Sequence, residues 1–272
     1  MYFLIPFIIV FLLFLIYLLL ILGRVGFTDF KAFKGVRFAH RGFHGNGVPE
    51  NSISAFKKAV EHGFGAEFDV HITADGIPVV IHDSSLKRTA NSDVFVEDLT
   101  LEELENYRLE NTDEKIPTLK EVLEIFEGKR PIVVELKPAN GNFEKLCFIT
   151  AGMLNNYKSD FCVESFDPRC VKWFKNHRPE FIRGQLSQNY LKRKKSNISF
   201  IKRFAATNLL TNLLTKPDFV AYRFNDRSNL SFKIWTRLFK LQGVTWTVTD
   251  RVSLKIAESE NLIPIFEDKK AD

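Results

Sequence analysis

The chain opens on an unbroken apolar run and then settles into alternation. Residues 1–22 contain no charged side chain and are almost wholly apolar. About 20 such residues, wound as a helix, reach across a bilayer core. Pro6 falls near the start of the run, where a helix tolerates it. No Lys or Arg precedes Arg24, and residues 21–25 make a poor cleavage site for a signal peptide. Residues 1–22 are therefore expected to form an uncleaved transmembrane anchor, followed by a juxtamembrane segment over 23–35.

From residue 36 onward, short apolar runs of strand length alternate with stretches of helical periodicity. The expected strands cover 36–40, 66–70, 132–136, 161–165, 182–186, 219–223, 244–248 and 262–266. Asn51 is expected to cap the first helix, which puts Ile53, Phe56, Ala59 and Val60 on one face. Thr100 with Glu103, and Thr118 with Glu121, have the spacing of capping boxes. Repeated strand–helix units build a parallel sheet, and eight of them fit a closed (β/α)8 TIM barrel with its active site at the strand C-terminal ends. The fold class is α/β. No Gly/Ser-rich linker or internal repeat divides 36–272, which is read as one domain.

One segment breaks the alternation. Asp75-Gly76 between two apolar-rich runs predicts a small hairpin. A turn centred on that pair sets Asp69 opposite His82.

Composition changes this picture only in its sign. A 45% hydrophobic, 26% charged chain can pack a large core and is not disordered. The net charge of +5 lies entirely after residue 22 and is densest at Lys192, Arg193, Lys194, Lys195, Lys202 and Arg203. That patch reads as a solvated face, with contact to anionic lipid headgroups as the sharper alternative. No strip of interleaved aromatic and basic residues marks a nucleic-acid partner. Arg24, Lys31, Lys34 and Arg37 follow the apolar run, so the positive-inside rule puts the domain in the cytoplasm. Cys147, Cys162 and Cys170 have no metal-like spacing and read as free thiols, which suits a reducing compartment.

Titratable residues gather at strand ends and in the hairpin, at Ala39-His40-Arg41-Gly42, Glu67-Phe68-Asp69, Ile81-His82-Asp83 and Glu135-Leu136-Lys137. Charges are costly in a barrel core unless paired or metal-bound. Glu67 and Asp69 are two apart and so share one side of their strand. With Glu135 from another strand they offer three hard oxygen donors suited to Mg²⁺ or Ca²⁺. Salt bridges to Arg41 and Lys137 are the structural alternative. His40 and His82 supply groups that change protonation near neutral pH. His62 and His177 read as surface residues, His71 as a pocket-lining one, and His44 as a possible substrate contact.

These stretches, in this order, resemble the glycerophosphodiester phosphodiesterase family. The match runs through His40-Arg41-Gly42, Pro49-Glu50-Asn51-Ser52, Gly65-Ala66-Glu67-Phe68-Asp69-Val70, Thr73-Ala74-Asp75-Gly76 and Val79-Val80-Ile81-His82-Asp83. It continues through Glu135-Leu136-Lys137, Glu164-Ser165-Phe166-Asp167 and Trp246-Thr247-Val248, covering roughly residues 36–268. The resemblance implies a TIM barrel with a hairpin after the second strand, and a divalent metal on Glu67, Asp69 and Glu135. It implies His40 and His82 as acid and base, and Arg41 and Lys137 on the phosphate. Trp246 matches an aromatic near the glycerol end.

The implied reaction is metal-dependent hydrolysis of a glycerophosphodiester to glycerol 3-phosphate and an alcohol. Residues 260–267 depart from the family pattern, which bears on the shape of the last loop. Two alternatives stand beside it: a membrane lysophospholipase D using the same residues, and a non-catalytic, membrane-tethered lipid-binding protein.

Overall fold

The computed structural model describes residues 4–26, 29–192 and 198–267. Its strands are β1 (Phe38–His40), β2 (Gly65–Ile72), β3 (Pro78–Val80), β4 (Ile132–Leu136), β5 (Phe161–Ser165), β6 (Arg183–Ser187), β7 (Phe219–Arg223), β8 (Gln242–Val248) and β9 (Ile263–Phe266). Parallel pairing runs from β2 through β4, β5, β6, β7 and β8 to β9, and β1 closes the ring between β9 and β2. Eight parallel strands thus form the expected closed barrel, and β3 folds back antiparallel on β2. Both capping boxes form, at the helices Leu101–Leu104 and Leu119–Phe126.

Two local expectations are corrected. The first helix, Ile53–Glu61, is capped by Ser52, whose side chain accepts from the Ala55 amide. Asn51 stands one residue outside, in the left-handed region at φ 54°, and its amide is free for other work. The hairpin register is also shifted by one. Val70 pairs with Val80 and Ile72 with Pro78, and the Ile81 amide donates to the Asp69 carbonyl. Asp69 therefore faces Ile81, and His82 lies just beyond. The cause is a three-residue loop, Ala74-Asp75-Gly76, closed by the Thr73 amide on the Ile77 carbonyl. Such loops need a left-handed third residue, which Gly76 supplies at φ +90°.

Strand alternation divides the core into two layers. Ala66, Phe68, Val70, Ile132, Val134 and Leu136 pack beneath the helices. The alternate residues, among them Phe38, Val133, Cys162, Phe219, Val244 and Ile265, form a separate cluster inside the barrel. Phe30 and Phe33 join that inner cluster, edge-on to Phe219 at 6.0 Å and stacked on Phe38 at 6.0 Å. The 23–35 stretch, expected as a juxtamembrane segment, thus contributes to the barrel core. Cys147, Cys162 and Cys170 are free, as expected, and all three are buried.

The N-terminal apolar segment forms one helix, Leu4–Ile21, long and apolar enough to cross a membrane. Most of its side chains are exposed, and Ile21 alone is buried.

Candidate active site

Inward-facing positions at the C-terminal ends of β2 and β4 place Glu67, Asp69 and Glu135 side by side. All three are buried, and each offers an oxygen within 4.8 Å of the others. Parallel register sets Asp69 beside Glu135, and Glu135 beside Glu164 of β5. Four carboxylates therefore meet in a site that water barely reaches.

Their electrostatics follow from that crowding. Burial and the neighbouring acids Asp69, Glu135 and Glu164 hold the Glu67 pKa well above its ordinary value. Burial pushes Glu135 up to about 7; Lys137 opposes the shift and Asp69 adds to it. Glu164 is raised by burial, then by Glu135 and Asp69. Asp69 goes the other way, because Lys137, His82 and Arg41 together outweigh its burial. Glu67 Oε1 is buried without a hydrogen-bond partner among the described residues, and the buried Asp69 Oδ1 and Glu135 Oε1 share a single cation, the Lys137 ammonium. The orphaned Glu67 oxygen and the raised pKa values of Glu67, Glu135 and Glu164 both signal too little positive charge for this many acids, and a hard divalent cation fits that donor set.

The cations sit where the sequence puts them, but they are tied to acids. The Lys137 ammonium lies 3.1 Å from Glu135 Oε1 and 3.2 Å from Asp69 Oδ1. Burial opposes its charge, yet these carboxylates outweigh burial and raise its pKa. Arg41 donates through one guanidinium nitrogen to both Glu50 oxygens, at 2.9 and 3.0 Å. Its backbone amide, placed by a left-handed φ of 55°, donates to Glu67 Oε2 at 3.3 Å. Both the salt-bridge reading and a phosphate-facing role are compatible with these positions.

Each histidine is held through Nδ1. His40, at the end of β1, bonds Glu267 Oε1 at 2.6 Å and turns Nε2 to within 3.8 Å of Glu67 Oε2. His82 bonds Asp83 Oδ1 at 2.7 Å. Asp83 is shared with Arg88, and Arg88 also donates to Glu50 at 2.6 Å. Burial lowers the His82 pKa; Asp69 opposes this, and Lys137 and Arg41 add to it. Trp246 is half-buried and edge-on to Phe166 at 5.3 Å, and its indole donates to the Ala221 carbonyl at 3.2 Å.

Several participants were not assigned to the site from the sequence. Asn51, read there as a helix cap, donates instead to Asp69 Oδ2 at 3.0 Å. Glu50 joins Arg41 to Arg88. Glu267 stands in the divergent terminal stretch, far from His40 in the chain but opposite it in the closed barrel. His71, expected to line the pocket, is buried, bonded to Glu97 at 2.7 Å and to the His82 carbonyl at 3.2 Å. His44 remains beside the site, 4.0 Å from Glu267. His62 and His177 bond backbone one turn back on their own helices. In the basic patch, Lys192 pairs with Asp226 and Arg203 donates to the Tyr190 carbonyl, while Arg193, Lys194 and Lys195 lie outside the described residues.

The profile of the Glycerophosphoryl diester phosphodiesterase family matches residues 40–269. The chain belongs to that family. A glycerophosphodiester phosphodiesterase of Caldanaerobacter subterraneus is 39% identical over 167 residues, covering 57% of this chain and 68% of the relative. A phosphodiesterase of Oleispira antarctica, solved with its product sn-glycerol-3-phosphate, superposes with a TM-score of 0.70 at 23% identity, over 87% of this chain and 94% of that one. A glycerophosphodiester phosphodiesterase of Thermotoga maritima superposes with a TM-score of 0.65 at 24% identity, over 86% and 94%. The two structures share the barrel; the family match carries the enzyme class, phosphoric diester hydrolase.

Proposed function

We propose that the chain hydrolyses glycerophosphodiesters to glycerol 3-phosphate and an alcohol, with a divalent metal and two histidines. The observation that carries this reading is the buried Glu67, Asp69 and Glu135 cluster, its oxygens within 4.8 Å of one another, flanked by His40, His82, Arg41 and Lys137. Glu67, Asp69 and Glu135 would hold Mg²⁺ or Ca²⁺, which when bound polarises the phosphoryl oxygens. Lys137 and Arg41 add fixed positive charge for the phosphodiester and for the charge that grows in the transition state. Trp246 lies toward the glycerol end.

The two imidazoles divide the proton work. His40 donates from Nδ1 to Glu267, which leaves the Nε2 lone pair toward the acids and stabilises the imidazolium once it forms. It takes the proton of the attacking nucleophile, either water directly or the glycerol 2-hydroxyl, whose cyclic phosphate water then opens. His82 is oriented by a carboxylate already shared with Arg88, and burial, with Lys137 and Arg41 adding to it, lowers its pKa. Its imidazolium gives a proton to the leaving alkoxide.

The helix Leu4–Ile21 supports a single-pass membrane anchor, and the cations that follow it support a cytoplasmic barrel. The test is hydrolysis of glycerophosphocholine by the full chain, with and without EDTA, beside Glu67→Ala. Turnover that needs both metal and Glu67 is expected. Hydrolysis that survives EDTA or the loss of Glu67 would remove the metal from the mechanism.

A further inference from the structure

The helix Phe200–Thr207 is amphipathic in the wrong sense for a soluble barrel. Arg203, Ala205 and Ala206 are half-buried and Thr207 is buried, while Phe200, Ile201 and Phe204 are 67%, 78% and 45% exposed. The Phe200 and Phe204 rings stack on each other at 6.3 Å. Contiguous apolar surface of this kind marks an interaction site.

Its position is fixed by the barrel mouth. Ser187, the last residue of β6, donates to the Ala206 carbonyl at 2.7 Å. Tyr222, near the end of β7, donates to the Thr207 carbonyl at 2.9 Å. The helix therefore sits on the rim at the C-terminal ends of the strands, the end that carries the acids and histidines.

The contacts of the N-terminal apolar helix give its direction. Arg24 bonds Asp218 and the Pro217 carbonyl, where β7 begins. Leu22 accepts from Lys216 at 3.0 Å, and Ile21 accepts from Asn212 at 3.0 Å. One turn earlier, Tyr17 bonds Ser231 at 2.6 Å, in the segment that follows the other end of β7. Going back along the helix, the contacts climb from the base of the barrel toward its mouth. Residues 4–16 then run on past the rim for about 20 Å at 1.5 Å per residue. Ser231 also donates to Asn208, the C-cap of Phe200–Thr207, and Leu230 beside it is 65% exposed. Anchor and rim helix are thus joined on one flank.

We propose that the outward face of Phe200–Thr207 lies in the membrane surface, in the leaflet through which Leu4–Ile21 passes, so that the barrel mouth opens against the lipid headgroups. The occupant is a bilayer because the patch is continuous with a helix made to span one. Phe and Ile at headgroup depth, with exposed Lys202 on the same helix, are the residues such a surface takes. Substrates still carrying an acyl chain then reach the site without leaving the membrane. This rests on the proposed diesterase activity and on the anchor.

The test uses the full chain in vesicles of phosphatidylcholine and phosphatidylglycerol. An environment-sensitive fluorophore is placed at Ile201→Cys, at Leu12→Cys in the anchor, and at Lys172→Cys on an exposed barrel helix; the native thiols are buried. Labels at 12 and 201 are expected to meet a lipid-borne quencher, and the label at 172 to stay in water. Position 12 in lipid with position 201 in water overturns the proposal while sparing the anchor. Position 12 in water overturns both.

A second arm compares Phe200→Ser, Ile201→Ser and Phe204→Ser combined with the unchanged chain. Hydrolysis of vesicle-borne lysophosphatidylcholine is expected to fall about tenfold or more, with glycerophosphocholine unaffected. Equal rates on the lipid substrate, or equal losses on both, would overturn it, as would capture of a protein partner by the patch with no lipid contact. If neither substrate is hydrolysed by the unchanged chain, the activity reading fails and the fluorophore positions alone decide the surface.

Discussion

Each imidazole at the site is fixed by a carboxylate, and the two carboxylates differ in what else they hold. Asp83 divides its charge between His82 and Arg88. Glu267 is pushed down to about 2, first by the hydrogen bond from His40. Glu267→Gln keeps the size of that side chain and removes its charge. It should lower kcat by roughly tenfold to a hundredfold, with little change in KM, because substrate does not need Glu267 to bind. Steady-state kinetics on glycerophosphocholine read the split; a KM effect alone would place Glu267 on the substrate instead.

The same carboxylate predicts a pH dependence of stability. Its folded pKa lies below the ordinary 4.5, so its contribution is complete above that value and is lost as pH falls through about 2. The contribution is roughly 3 kcal/mol at most. Denaturant unfolding in EDTA should show unchanged and Glu267→Gln chains well separated at pH 6 and converging toward pH 2. A separation that grows on acidification would contradict the assignment.

At the scale of elements, the hairpin after β2 reaches the site through a buried network rather than by cross-strand pairing. Glu97 accepts from His71 and from Ser84, and His71 also bonds the carbonyl of His82. These bonds hold the loop that carries His82. Glu97→Gln should cost about 1–3 kcal/mol in urea unfolding, and it should reduce kcat by displacing His82. Loss of stability with an unchanged kcat would make the network structural only.

The barrel wall makes a second demand. A Cβ on Gly184 would lie 2.2 Å from the Phe219 ring, which fills the interior. Gly184→Ala should therefore destabilise the fold by about 1–3 kcal/mol or more, measured by thermal unfolding.

For the whole molecule, the decisive imbalance is four buried carboxylates against the cations Lys137 and Arg41. A divalent ion that binds the folded chain should raise Tm, by a free energy near 2.7 kcal/mol at a hundredfold excess over Kd. EDTA should reverse the shift, and Glu67→Ala should abolish it. A Tm indifferent to Mg²⁺, Ca²⁺ and EDTA would argue for an acid cluster that titrates rather than ligates.

Strand and helix periodicity, the two capping boxes and the ordered His-Arg-Gly, Glu-Phe-Asp, His-Asp and Glu-Leu-Lys stretches are local patterns, and a sequence displays local patterns directly. They were enough to determine an eight-strand parallel barrel and a helix able to span a membrane, and to single out the acids, cations and histidines proposed for the site. What tertiary structure alone decided is every relation that depends on ring closure or on a turn's length. Glu267 meets His40 because β9 returns beside β1. His82 stands past Asp69 because a three-residue loop shifts the hairpin by one. Asn51 leaves the helix to Ser52 and turns to Asp69 because its backbone is left-handed. Phe30 and Phe33, outside any strand, pack into the barrel interior because it must be filled. Such contacts join residues far apart in the chain, and no spacing along the sequence carries a trace of them.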